Sequence, residues 1–392
     1  MQKVNKVMSE GHDVINLGQG NPDQPTPTHI VRALQEAAAN PVHHKYPPFR
    51  GTHSLKEAVA VFYKREYGVT LDPEKEVAVL FGGKAGLVEL PLCFTEPEDT
   101  ILVPDPGYPD YWSGVALAKS KDEHDAAACR KTAFFLIIAS LRPRWQTKQS
   151  LCSSTIQTTR QVQWRRRNFF AETAAFANKH NILVCHDFAY GAIGFNGKKS
   201  QLASFKQKAQ RKQVLKIYTM SKTYNMAGWR IAFAVGNESV IEAINLLQDH
   251  MYVSIFGAIQ EATKQALLQP QTCVEELVAR YESRREALVS ACHSIGWDVK
   301  APEGSFFAWL PVPDGYTSQQ FADILLEQAH VAFAPGNGFG EHGEGYVRVG
   351  LLHTEERLQE AIQRIAKLGI FRKNMYNVGT FYNDAGKEKL AD

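Results

Sequence analysis

The sequence predicts an α/β protein with a mainly parallel, doubly wound sheet in a large domain and a small α+β domain towards the C-terminus. Three observations predict it. Short apolar runs bounded by glycine or proline alternate with helical stretches from about residue 55 to 295. Beyond residue 300 the texture changes, and strand-like runs and helices follow one another closely. Finally, 392 residues with 44% hydrophobic and 22% charged side chains suit two to three folded units at roughly 150 residues each.

The elements follow in order. Residues 55–67 space their apolar side chains as a helix and stop at Gly68. Residues 77–81 form a short buried strand running into Gly82 and Gly83, and 100–103 another, stopped by Pro104. A helix is expected over 171–180, strands over 182–185, 217–219 and 231–235, and a helix from Glu238. Helical spacing covers 256–295 with a break near Pro270. The C-terminal part reads as strand 305–310, helix 318–329, strands 331–334 and 346–350, and helix 355–368. The expected division is an N-terminal arm shared with the small domain (1–45), a large domain (46–280), a small domain (281–370) and a loose tail (371–392).

Composition narrows the function. No apolar run approaches the ~20 residues that cross a bilayer, and the N-terminus has no apolar core of a signal peptide. The six cysteines (93, 129, 152, 185, 273 and 292) form no Cys-x-x-Cys pair, so a reduced, cytoplasmic protein without a zinc site is expected. The net charge of +3 is uneven: residues 119–168 carry 11 basic and 3 acidic side chains, and 200–216 carry 5 basic and none acidic. Neither segment matches a nucleic-acid-binding motif. His43, His44 and His342 lack metal-ligand spacing and read as surface histidines.

Four elements carry chemistry. In the run from Tyr218 to Arg230, Lys222 follows a strand end, where open α/β folds bind ligands. Hydroxyls of Thr219 and Ser221 flank it, and Arg230 follows, a set suited to a phosphate beside a reactive amine. Asp187, after strand 182–185, can pair with a pyridinium nitrogen, and Tyr190 can reach a phenolate oxygen. Gly83, Lys84 and Ala85 lie where a strand and glycine turn enter a helix, whose first amides bind phosphate. Tyr108, after strand 100–103, can lie over a flat ring.

In this order, each at a strand's carboxyl end, these elements resemble the fold-type-I pyridoxal-phosphate enzymes, specifically the class I/II aminotransferases near the methionine-salvage and diaminopimelate groups. Runs 16–23, 103–111 and 221–230 carry the likeness. The resemblance implies pyridoxal 5'-phosphate as cofactor, and an amino acid and a 2-oxo acid as substrates, with methionine and 4-methylthio-2-oxobutyrate leading. It implies Lys222 as the catalytic lysine that bonds the cofactor and moves the proton, Asp187 as the partner of the ring nitrogen, Tyr190 on the ring oxygen and Tyr108 stacked on the ring. Gly83, Lys84, Ala85, Thr219, Ser221 and Arg230 become the phosphate cup, and Arg348 and Gly20 the substrate-carboxylate site. Tyr46 becomes a residue reaching the neighbouring subunit's phosphate, hence a homodimer. The resemblance also implies that the chain starts short of the family's usual N-terminus. A carbon–sulfur β-lyase on the same cofactor, and an impaired product of a frameshifted gene, are the alternative functions.

One family feature is missing: an Asn-Pro-x-Gly turn between the Tyr108 and Asp187 elements, whose asparagine holds the ring oxygen. Residues 120–168 lack it and show no clear periodicity. If each codon of 154–162 lends its third base to the next two, permitted codons spell Asn-Tyr-Pro-Asn-Asn-Pro-Thr-Gly. Residues 131–150 and 200–216 regroup in the same way into more acidic stretches. Both basic segments therefore read as out-of-frame translation. The glycine-rich run 336–345 reads as a loop near the substrate, leading to Arg348.

Overall fold

A computed structural model describes residues 2–97, 99–119, 121–124, 136–139, 151–155, 175, 177–179, 182–197 and 213–371. The Asn-Pro-x-Gly question, most of the helix expected over 171–180, and the tail beyond 371 lie outside the described residues.

Two N-terminal helices bury too few apolar side chains for periodicity to predict them. α1 (Gln2–Ser9) buries only Val4, and α2 (Thr28–Ala38) only Ile30 and Ala37. α3 (His53–Tyr67) forms as expected. Thr52 caps its start, and Gly68 ends it in the left-handed region at φ 66°, where a side chain would be strained.

β1 (Ile15–Asn16) precedes the large sheet. That sheet takes β2 (Val77–Leu80), β3 (Thr100–Val103), β4 (Lys121–His124), β5 (Leu136–Ala139), β6 (Leu151–Thr155), β7 (Leu183–Asp187), β8 (Val214–Thr219) and β9 (Ala232–Gly236). Its order is β2-β9-β8-β7-β5-β3-β4, with β6 pairing both β3 and β7. Among the described residues, six of the eight strands run one way, and β5 and β9 run against them. The strand period of two distributes the core. Val77, Val79, Val184, Tyr218 and Phe233 face one apolar layer, and Ala78, Leu80, Leu183, Ile217 and Ala232 the other. A sheet covered on both faces keeps only its ends for chemistry. β7 runs two residues further than its apolar run suggests, so Asp187 is its last residue. β8 starts at Val214, inside the second basic segment, and buries Lys216 against the Phe188 ring, 4.9 Å away.

Helices α4 (Gly83–Phe94), α5 (Asp110–Leu117) and the short α6 (Met220–Thr223) each start beyond a strand's carboxyl end. α7 (Glu238–Met251), α8 (Gly257–Leu268) and α9 (Thr272–Ser294) follow, with the break near Pro270 as expected.

The C-terminal part holds β10 (Phe307–Pro311), α10 (Ser318–Ala329), β11 (Val331–Ala332), β12 (Ala334–Pro335), β13 (Tyr346–Gly350) and α11 (Glu355–Ala366). The single strand expected over 331–334 is divided. β11 pairs with β1, and β12 joins the antiparallel sheet β10-β13-β12. Buried Phe333 is the crossing point: its ring belongs to the core between the two pairings, so the chain changes sheets there. Among the described residues, no helix is long and apolar enough to cross a membrane, and no group of three or more His, Cys, Asp or Glu is placed to hold a metal.

Candidate active site

The carboxyl ends of β3, β7 and β8, the first turn of α4 and the centre of β13 converge on a cavity of about 270 Å³. Gly20, Gly83, Lys84, Tyr108, Asp187, Tyr190, Thr219, Ser221, Lys222, Arg230 and Arg348 all line it. Of the residues singled out from the sequence, Ala85 lies in the first turn of α4 and is not among the lining residues. Tyr46 stands outside, 84% exposed.

Lys222 donates from Nζ to the Gly20 carbonyl at 2.7 Å. Burial, with Arg348 and Arg230 nearby, pulls its amine down to about 8, against the opposing pull of Asp187. About a tenth of the amine is then neutral at pH 7, far more than for an ordinary lysine, which suits a nucleophile or base. Asp187 is buried, which pushes its carboxyl up to about 6. Its ionised form is held by the Tyr111 hydroxyl (3.0 Å) and the Ala189 amide (3.2 Å). A buried carboxylate with only these donors among the described residues suits a cationic partner on its remaining side.

The residues expected to form the phosphate cup lie near the N-terminus of α4. Thr219 ends β8 and caps α6; its hydroxyl donates to Ser221 Oγ at 2.9 Å and accepts from the Ser221 amide at 3.2 Å. Arg230 lies in the left-handed region at φ 54°, with its guanidinium tied to the Ala227 carbonyl at 2.8 Å. Its other end fills the space over Gly82: a Cβ there would stand 2.5 Å from Arg230 Nη2, at φ +93°. Helix-start amides, two hydroxyls and a guanidinium in one cradle match a dianionic phosphate. Lys84 pairs with Asp110 at 2.8 Å.

The opposite wall is aromatic. The Arg348 guanidinium is sandwiched between the rings of Phe307 (4.0 Å) and Phe339 (4.2 Å). Burial lowers it to about 10, and its Nε has no hydrogen-bond partner among the described residues. A buried, incompletely paired guanidinium calls for a carboxylate. Trp309 stands edge-on to Phe339 at 5.5 Å, and Tyr190 edge-on to Phe306 at 5.1 Å. Burial raises the phenols of both Tyr190 and Tyr108, so each stays a hydrogen-bond donor.

Sequence reasoning missed Tyr111 as the donor to Asp187, and Phe307, Trp309 and Phe339 as walls. Tyr111 carried a readable signal, because it lies in the same 103–111 run as Tyr108, just past the end of β3. The walls left no signal, since aromatic residues in a strand, as Phe307 and Trp309 are, are ordinary core, and Phe339 stands alone in a glycine-rich loop. The loop reading of 336–345 holds, as Phe339 lines the cavity. His342, read as a surface histidine, is 34% exposed at its side chain and turns its Nδ1 inward, 3.1 Å from buried Asp105 Oδ2. The two residues are 237 apart in sequence, so only the tertiary fold could join them.

Comparison with known proteins agrees with this geometry. The profile of the family Aminotransferase class I and II matches residues 12–127 and 166–365. The chain is 61% identical over 372 residues to L-glutamine--4-(methylsulfanyl)-2-oxobutanoate aminotransferase of Bacillus subtilis (strain 168), covering 95% of this chain and 93% of that protein. It is 38% identical to LL-diaminopimelate aminotransferase of Moorella thermoacetica, covering 94% of each. The apo structure of BacF from Bacillus subtilis superimposes with a TM-score of 0.86 at 42% identity, covering 95% of each chain. Lys222, Asp187, the cradle under Arg230 and the waiting Arg348 together fit pyridoxal 5'-phosphate and an amino acid. The chain therefore belongs to the class I and II aminotransferases, and it is a pyridoxal-phosphate-dependent transaminase of fold type I.

Proposed function

We propose that this transaminase exchanges an amino group between methionine and 4-methylthio-2-oxobutyrate, with Lys222 as the catalytic residue. The observation that carries the reading is one cavity holding Lys222, Asp187 and Arg348 together. The named substrate of the 61% identical relative supports the substrate pair. So do the walls: Phe307, Trp309 and Phe339 suit a thioether side chain. Among the described lining residues the only cations are Lys84, Lys222, Arg230 and Arg348, which leaves no further one for a side-chain carboxylate.

Bound there, pyridoxal phosphate supplies a cationic ring that delocalises the charge left on the α-carbon when its proton departs. Asp187 keeps the ring nitrogen protonated, with Tyr111 and the Ala189 amide holding its carboxylate in place. Tyr190 donates to the ring oxygen, and Tyr108 covers the ring. Gly83, Lys84, Ala85, Thr219, Ser221 and Arg230 hold the phosphate. Arg348, with Gly20 beside it, grips the substrate carboxylate and so fixes the α-carbon near Lys222. The Lys222 amine takes the α-proton and returns it one position away.

A homodimer completes this reading, with Tyr46 reaching the neighbouring subunit. Its support is the position of the segment around Tyr46. Arg50 binds Asp249 (2.7 Å) and Glu242 (2.8 Å), and the Thr52 amide binds Gln260 (2.8 Å). Exposed Val42, Tyr46, Phe49, Met251, Val253 and Phe256 belong to these two segments, the composition of a surface that pairs. Separate apolar cores support large and small domains dividing near residue 280. We read the protein as cytoplasmic and biosynthetic.

The visible spectrum tests the reading. Absorbance should appear when pyridoxal phosphate is added and bleach with methionine. Absorbance that never appears would overturn it, and pyruvate with free thiol as products would assign the β-lyase instead.

We also infer that the segments 120–168 and 200–216 are out-of-frame translation. The family profile leaves 128–165 unmatched, within the first of them, and β8 buries Lys216, the last residue of the second. Sequencing the coding DNA should find compensating insertions or deletions near 120, 168, 200 and 216; an intact frame at all four would refute it.

A further inference from the structure

We infer that Asp105 is a positioning residue that ties the cofactor wall of the site to the substrate-carboxylate wall. The inference rests on the reading that Arg348 grips the substrate carboxylate. Asp105 is 1% exposed and ends the strand–turn that leads to Tyr108 and Tyr111. A carboxylate buried so completely needs donors, and one distant loop sends three to it. The Glu341 amide donates to Oδ2 at 3.0 Å, the His342 amide to Oδ1 at 3.0 Å, and His342 Nδ1, in the tautomer protonated there, to Oδ2 at 3.1 Å. Gly340 leaves the room: at φ +123°, a Cβ on it would overlap Asp105 Oδ1. Two residues on from Asp105, the Gly107 amide donates to the Phe339 carbonyl at 2.7 Å.

Phe339 is therefore pinned at its own carbonyl and, through residues 340–342, at Asp105. Its ring forms one side of the Arg348 sandwich and packs against Trp309. Asp105 touches neither substrate nor cofactor. It holds the aromatic plate that aims Arg348, and it does so from the same turn that places Tyr108 over the ring. Small displacements of a positioned group can cost up to about 100-fold.

The test uses the cofactor-loaded full chain. In wild type, hydrogen exchange at the Glu341 and His342 amides should be slow. Asp105→Asn, which keeps the shape but turns an amide towards one of these donors, should speed both at least about tenfold and leave the β13 amides unchanged. The same variant should raise KM for methionine and for 4-methylthio-2-oxobutyrate about tenfold, with kcat within about threefold and the cofactor absorbance unaltered. Inhibition by 4-(methylsulfanyl)butanoate, which has the carboxylate but no amine, should weaken in the same ratio. His342→Gln keeps both amide bonds and should fall between. Gly340→Ala, which presses on the same contact from the other side, should reproduce the pattern of Asp105→Asn even where that variant folds poorly. Rapid exchange in wild type, unchanged exchange in the variants, or an equal fall in kcat with loss of bound cofactor would overturn the inference. A wild type that binds cofactor yet ignores methionine would defeat the functional reading instead, and the exchange data would still decide the role of Asp105.

Discussion

The two walls of the cavity are built by different means. The Lys222 wall comes from strand ends of one sheet, which carry their cavity-lining side chains at or within a few residues of the end: Tyr108 after β3, Asp187 ending β7, Thr219 ending β8, and Ser221 and Lys222 after it. The Arg348 wall draws on β10, β13 and the 336–345 loop, and works only when the three assemble. Local chain geometry sets the first wall, and packing sets the second. Substitutions on the first should therefore strike cofactor binding and kcat, and on the second mainly KM.

Lys222→Ala should break the first wall most severely. Loss of the base should lower kcat by about 10³-fold or more, measured as single-turnover product formation. Arg348→Lys probes the second. A lysine cannot copy the planar fork, so KM for both substrates should rise roughly 10- to 100-fold, while the cofactor absorbance stays as in wild type. An equal loss of cofactor in that variant would show that the walls are not separate.

Gly82→Ala reaches the first wall through shape alone. A Cβ against Arg230 Nη2 at a positive φ should weaken pyridoxal-phosphate affinity about tenfold by equilibrium dialysis, with KM little changed. Tyr111→Phe removes one bond to the Asp187 carboxylate. That loss of about 1 kcal/mol should lower kcat about fivefold, and in the cofactor-free chain it should move the Asp187 titration above its value of about 6.

The smallest effect is a pH profile. In the cofactor-free chain Lys222 holds its proton less tightly than in the unfolded chain, at about 8 against an ordinary 10.5. Its contribution to stability is therefore full above the ordinary value and is lost as pH falls through about 8. The rate at which the chain captures pyridoxal phosphate should climb with pH up to about 8 and then level off. A rate still climbing at pH 10 would mean that Lys222 is not the group depressed by burial and the two arginines.

Much of the first wall was legible because its chemistry is sequential. A glycine turn before α4 and a lysine three residues past the end of β8 mark their own places on a doubly wound sheet. The second wall was legible only at Arg348. Nothing in the sequence set Phe307, Trp309, Phe339 or Asp105 apart from other aromatic and acidic residues; the fold placed a guanidinium among the rings and His342 beside the carboxylate. The division of 331–334 between two sheets was hidden for a similar reason, since β-pairing partners are chosen by the whole fold.

By itself, the sequence determined the α/β class, most strands and helices, and most of the polar residues that line the cavity, because periodicity and turn chemistry act over a few residues. Only the tertiary structure decided which donors hold Asp187, which rings enclose Arg348 and which loop Asp105 anchors. Those contacts join residues up to 237 positions apart, and their energies exist only once burial has removed water from between them.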